Sequence, residues 1–122
     1  NLYYTGIRVD GNVVIKKKIN GKYYTMAEKK FFNGDGEYDR EKNPNLIPEN
    51  KWIGIKSELY TNTFGIVDIR LFVDRNENGN WELVLKKTDS GKKYGDKTFK
   101  DRGHAGIRTD FMDMSFKNYE IK

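Results

Sequence analysis

The stretch VVIKKKI–Asn20–Gly21–KYYT restricts the fold of this chain more than any other. Asn-Gly fits the two left-handed positions of a two-residue hairpin turn. Residues 13–19 and 22–32 are therefore expected as antiparallel strands. Met, Ala, Glu and Lys within 22–32 would permit a helix, but the turn before them favours a strand. Period-two alternation recurs in LYYTGIRVD (2–10), before a Gly-Asn turn. It recurs in KWIGIKSELY (51–60), with Ile53, Ile55 and Leu59 on one side, and in IVDIRLFVD (66–74), with Val67, Ile69, Leu71 and Val73 on one face. WELVLKK (81–87) continues it, and residues 105–122 predict one long strand or two separated by a bend. Polar stretches 33–50, which holds both prolines, and 89–103 are expected as surface loops. No linker divides residues 1–122, so a single domain is expected.

Composition supports a folded chain. At 36% hydrophobic and 14% aromatic residues, 122 residues can bury a core without disulfide or metal staples. The absence of Cys excludes a disulfide framework and thiolate metal sites, and leaves the redox compartment open. Lys and Arg number 23 against 18 Asp and Glu, a formal charge of +5. That balance suits an acidic partner such as an anionic glycan, or simply a soluble surface of mixed charge; no specific nucleic-acid partner is expected. Strand alternation splits the densest basic run, Lys16 to Lys18, between two faces. No apolar run approaches the length of a membrane span. The chain opens at Asn1 without Met or a signal peptide, so it is expected to be a processed or truncated piece.

GIRVD at 6–10 returns as GIRTD at 106–110. If both are neighbouring strands, Arg8 and Asp10 face Arg108 and Asp110 in a cross-strand ladder. The order YTGIRVDGNVVIKKKINGKYY, NKWIGIKSELY, VDIRLFVDRNENGNWELV, HAGIRTDFMDMSFKNYEI resembles the concanavalin A-like lectin/glucanase superfamily. The resemblance covers most of the chain and carries no diagnostic catalytic motif. It implies an all-β, two-sheet antiparallel sandwich of jelly-roll type that lacks strands preceding Asn1. It also implies glycan binding or glycan cleavage. The expected function is a non-catalytic carbohydrate-binding or adhesion module of an extracellular or cell-surface protein. A polysaccharide lyase or glycoside hydrolase, and a purely structural domain, are the alternatives. Expected partners are a glycan, and an N-terminal segment of the parent protein or a second copy covering the open edge.

Four groups of residues carry possible chemistry. Asp74, Asn76, Asn78 and Gly79 match the opening of a calcium loop, with Glu82 at the ninth position. The twelfth position, where calcium needs a bidentate Glu, is Leu85, so the stretch reads first as a hairpin turn; calcium is the only cofactor in question. Glu37, Asp39 and Glu41 would share one face of a strand, as paired hydrolase carboxylates must, but they fall in a polar loop. His104, the only histidine, shares parity with Arg108 and Asp110. With Tyr4, Arg8 and Asp10 it offers a base, two guanidiniums and a phenol, the inventory of a glycan lyase, or an ordinary charged outer face. Trp52, Lys56 and Tyr60 share a face of one strand, and Arg70 and Phe72 a face of the next. Adjacent, they would form an aromatic floor for a sugar ring, or else large rings closing the core.

Overall fold

The computed structural model describes residues 1–110 and 112–122. Six strands make two sheets. β1 (Leu2–Ile7), β2 (Asn12–Ile19) and β3 (Lys22–Lys30) form one, and β4 (Gly54–Thr61), β5 (Val67–Asp74) and β6 (Glu82–Asp89) the other. Every neighbouring pair is antiparallel. The fold is an all-β, two-sheet sandwich. Each sheet is a meander of consecutive strands, and residues 31–53 make the crossing. Interleaving of strands between sheets, as in a jelly roll, is not seen among the described residues. No described residue is helical, so no helix is long and apolar enough to cross a membrane.

The turn at Asn20 and Gly21 has φ of 50° and 79°, the left-handed pair that Asn-Gly accepts with little strain. Register then decides which side chains meet. Val13, Ile15, Lys17 and Ile19 of β2 point inward, as do Val67, Ile69, Leu71 and Val73 of β5. One cluster joins Val13, Phe31, Phe32, Leu71, Val73 and Val84, with Ile7 and Ile53 at its margin. The other joins Ile15, Met26, Val67 and Ile69, flanked by Tyr3 and Tyr94. A bulge in β3 leaves Met26 without an opposite residue, and it fills the second cluster.

Lys17 is on the inner face, and it is completely buried together with Asp89 at the end of β6. Its Nζ lies 2.6 Å from Asp89 Oδ2, which also accepts a 2.6 Å hydrogen bond from the Tyr3 hydroxyl. Asp89 Oδ1 accepts from the Gly91 N–H at 2.8 Å, and the Lys97 carbonyl accepts a second bond from Nζ. The 89–103 loop is thus less of a surface loop than its polarity predicts. Phe99 packs on the Tyr3 ring with centroids 5.0 Å apart, and Thr98 donates to the Gly65 carbonyl. The loop roofs the buried pair.

Three expectations are corrected. β1 stops at Ile7 rather than Asp10. Asp10 Oδ1 instead accepts the Asn12 N–H, and the Gly11 N–H bonds back to the Arg8 carbonyl, so the chain turns. β3 ends at Lys30, because the N–H groups of Phe31 and Phe32 both turn to the Gly11 carbonyl. Residues 105–122 form no strand among the described residues; Phe111 lies outside them. The expected ladder between the two GIR-x-D segments is therefore absent among the described residues, where β1 pairs with β2 alone and Arg8 has left the strand. Alternation gives a segment two faces but supplies no edge to pair with. The C-terminal segment crosses side chains of the sandwich instead. Arg108 donates to the Tyr23 hydroxyl at 3.3 Å, and Lys117 pairs with Glu77 and sits 4.5 Å from the Trp52 ring.

Candidate functional site

The outer face of the β4–β5–β6 sheet gathers most of the expected platform. Register places Lys56 opposite Phe72, Glu58 opposite Arg70 and Tyr60 opposite Asp68. Lys56 Nζ lies 4.3 Å from the Phe72 ring centre and 5.3 Å from that of Trp81. It reaches Glu58 at 3.5 Å. Two rings thus share one ammonium at the start of β4. Toward the other end, Glu58, Leu59, Tyr60, Asp68 and Arg70 line a recess of about 270 Å³.

Trp52, expected in that floor, precedes β4, and no ring contact joins it to Phe72 among the described residues. Trp81 takes its place. A Cβ at position 54 would come within 2.7 Å of the Trp81 ring, so Gly54 is what lets the indole settle on the sheet. Trp81 stays 42% exposed. The signal for it was present: Trp81 closes the hairpin loop, and a lone glycine opens the strand across from it.

Beside Trp81, the loop from Asp74 to Glu82 encloses a shallow concavity of about 580 Å³. The loop is the expected hairpin turn between β5 and β6. Asp74 Oδ2 accepts the Gly79 N–H at 2.8 Å, and Oδ1 accepts from Asn76 and Asn78 at 3.2 and 3.3 Å. Burial pushes the Asp74 carboxyl up, but these backbone donors outweigh it and hold the group below the usual carboxylate range. The other loop oxygens are partnered as well: Lys51 donates to Asn76 Oδ1 at 2.9 Å, and Arg75 pairs with Glu82 at 3.3 Å. A calcium ion would have to displace both cations. No group of three His, Cys, Asp or Glu side chains is arranged to hold a metal among the described residues.

The remaining candidates separate. Asp39 Oδ1 caps its own turn, accepting from the Glu41 and Lys42 N–H groups at 2.9 and 2.8 Å. Glu37, Asp39 and Glu41 therefore share no strand face. Arg8 pairs with Asp10 at 3.0 Å and Glu28 at 3.2 Å, while Arg108 pairs with Asp110 at 3.0 Å. His104 is exposed and makes no hydrogen bond among the described residues. The structure does bring Arg8 and Arg108 within electrostatic reach of Tyr4. Burial raises the Tyr4 phenol, and both guanidiniums oppose the rise. Tyr23 was not foreseen. Hydrogen bonds from Arg108 and Lys18 draw its phenol below the ordinary tyrosine value.

No protein-family model matches the sequence, and no curated protein or solved structure matches it.

Proposed function

We propose that the domain is a non-catalytic carbohydrate-binding module whose ligand lies on the outer face of β4–β5–β6. The observation that carries this reading is the Trp81 ring, seated over Gly54 and joined to Phe72 through Lys56. A sugar ring presents C–H groups to an aromatic face and hydroxyls to its margin. Trp81 and Phe72 supply the face. Lys56, Glu58, Arg70 and Tyr60 supply charged and hydroxyl partners along it, and the loop amides of Asn78 and Asn80 border it. Few polar groups beside an apolar floor are the usual make-up of a small-ligand site. The likeness to concanavalin A-like domains, drawn from the order of the strand segments, and the extracellular placement belong to this proposal.

Calorimetric titration with neutral and acidic oligosaccharides tests it. Trp81→Ala is expected to weaken binding at least tenfold, about 1.4 kcal/mol, with an unchanged melting temperature. Trp52→Ala should weaken it less. Binding that survives Trp81→Ala places the ligand elsewhere, and the absence of binding to any glycan leaves a structural domain.

A second reading has one observation in its favour. On the other sheet, Tyr23 is a phenol flanked by Arg108 and Lys18, with Tyr4 and Arg8 nearby. Cations able to hold a uronate beside a phenol drawn below its ordinary value are the parts of a lyase. Release of an unsaturated product from an acidic polysaccharide, abolished by Tyr23→Phe, would establish it.

A further inference from the structure

The pair between the sheets sets an amine against a carboxylate in a closed interior. Lys17 Nζ and Asp89 Oδ2 are 2.6 Å apart at 0% exposure, on residues 72 positions apart in the chain. The rings of Phe99 and Tyr3 lie 5.0 and 5.6 Å from the amine. An ion pair in such a place has lost its hydration, and a proton passed within it gives the neutral amine, with its lone pair, and the carboxylic acid that can condense. Holding two partners at contact distance replaces a bimolecular encounter, with effective concentrations on the order of 10⁵–10⁸ M in well-oriented cases.

We propose that Lys17 Nζ and Asp89 Cγ condense to an intramolecular amide that ties β2 to β6. A proton passes from Nζ to Oδ2 along their hydrogen bond, leaving a neutral amine and a carboxylic acid. The Nζ lone pair attacks Cγ, and negative charge collects on Oδ1, where the Gly91 N–H stands 2.8 Å away as an oxyanion donor. Tyr3, 2.6 Å from Oδ2, gives that oxygen its proton and recovers one from Nζ. The Cγ–Oδ2 bond breaks and Oδ2 leaves as water. The ammonium loses two protons, both depart in that water, and charges of +1 and −1 disappear together. No oxidant, cofactor or external proton is needed.

The Lys97 carbonyl, by accepting one Nζ–H, fixes the direction of the amine, and the Phe99 N–H holds the Tyr3 oxygen at 3.2 Å. Burial and the bond to Asp89 raise the Tyr3 phenol, so it stays protonated and hydrogen-bonded to Oδ2. No buried side-chain nitrogen or oxygen lacks a partner among the described residues. Each polar side-chain atom of the pair is therefore hydrogen-bonded.

Intact-mass measurement of the full chain under denaturing conditions tests the proposal. The wild-type protein is expected to weigh one water less than its sequence requires, and proteolysis is expected to yield a branched peptide joining Lys17 to Asp89. Branching is the necessary criterion, because Asp89 precedes Ser90 and a backbone imide there would also lose one water. Lys17→Arg should restore the full mass and abolish the branched peptide. Tyr3→Phe should slow its appearance in newly synthesised chain at least about tenfold, as loss of a proton donor does; an unchanged rate would remove Tyr3 from the reaction. A wild-type chain of full mass, or a water loss confined to the Asp89–Ser90 linkage, overturns the cross-link. Both results are read on wild-type protein, so neither depends on a variant that folds.

Discussion

Asp74 and Asp89 close β5 and β6, and both are buried. Their carboxylates are satisfied in opposite ways. Asp74 accepts only from N–H groups of the loop that follows it, two to five residues away. Asp89 takes its local Gly91 N–H on one oxygen, but the other is held by Lys17 and Tyr3, 72 and 86 residues distant. The first aspartate shapes a turn; the second joins two sheets. Local satisfaction can be assembled within one hairpin, whereas the remote kind exists only once both sheets are stacked.

The largest expected effect tests that contrast directly. Lys17→Met leaves a buried carboxylate without its cation and should cost on the order of 3–5 kcal/mol in equilibrium urea unfolding, before any covalent link is counted. Adding Asp89→Leu to it should recover the part of the loss that comes from the unpaired charge, because a well-packed apolar pair replaces a buried ion pair at little or no cost, and the deficit that remains measures the covalent link. A double variant as unstable as the single one would show that the pair does more than balance charge.

Asp74→Ala should lower the urea midpoint by less, and Asp74→Asn by less again, since an amide oxygen still accepts from the loop. Because the folded carboxyl titrates below its ordinary value of 3.8, its contribution is present above that pH and disappears as the pH falls through the lowered value. Acid unfolding of Asp74→Asn should therefore be shallower on this arm than that of the wild type. An Asp74→Ala loss equal to that of Lys17→Met would erase the difference between the two aspartates.

In chain that has not formed the link, Tyr3→Phe removes one hydrogen bond from a shared acceptor, about 0.5–1.5 kcal/mol. Burial first, then the bond to Asp89, raises the Tyr3 phenol above 10.0, while the Phe99 N–H opposes the rise. The stabilisation this represents is complete below pH 10.0 and is lost as the pH climbs through the raised value. Wild type should lose stability in alkaline solution along an arm that Tyr3→Phe lacks.

The smallest effect belongs to the open side of the sandwich. Ile55 and Leu59 share parity with the buried residues of β5, yet they remain 45% and 51% exposed, because β4 is an unpaired edge. Leu59→Lys should change the melting free energy by no more than about 0.5 kcal/mol. In sedimentation velocity the same substitution should shift the wild type from self-associated species toward monomer, as an open apolar edge leads one to expect. Monomeric wild type would mean that the edge attracts no second copy.

Much of the fold was legible because its causes are local. Asn20–Gly21 fixes a turn by backbone sterics, and alternation in 13–19 and 66–74 assigns inner and outer faces before any partner is known. The platform was legible in part: Lys56, Phe72 and Arg70 follow from parity, whereas Trp81 stands outside a strand and is placed by the space above Gly54. The C-terminal segment misled because its alternation is as regular as that of β5. Pairing also needs a free edge in reach, and no local pattern contains one.

The sequence by itself pointed to the six strands of the two sheets, most of their turns and the faces of each, because φ, ψ preferences and period two act over a few residues; by the same rule it pointed to a C-terminal strand that does not form. It also put Lys17 on the same side as Val13, Ile15 and Ile19. Only the tertiary structure decided that this side is closed to water, that Asp89, Tyr3 and the Lys97 carbonyl meet there, and that β4 is left uncovered. Stacking two sheets sets the distance between residues 17 and 89, and no stretch of sequence between them carries that distance.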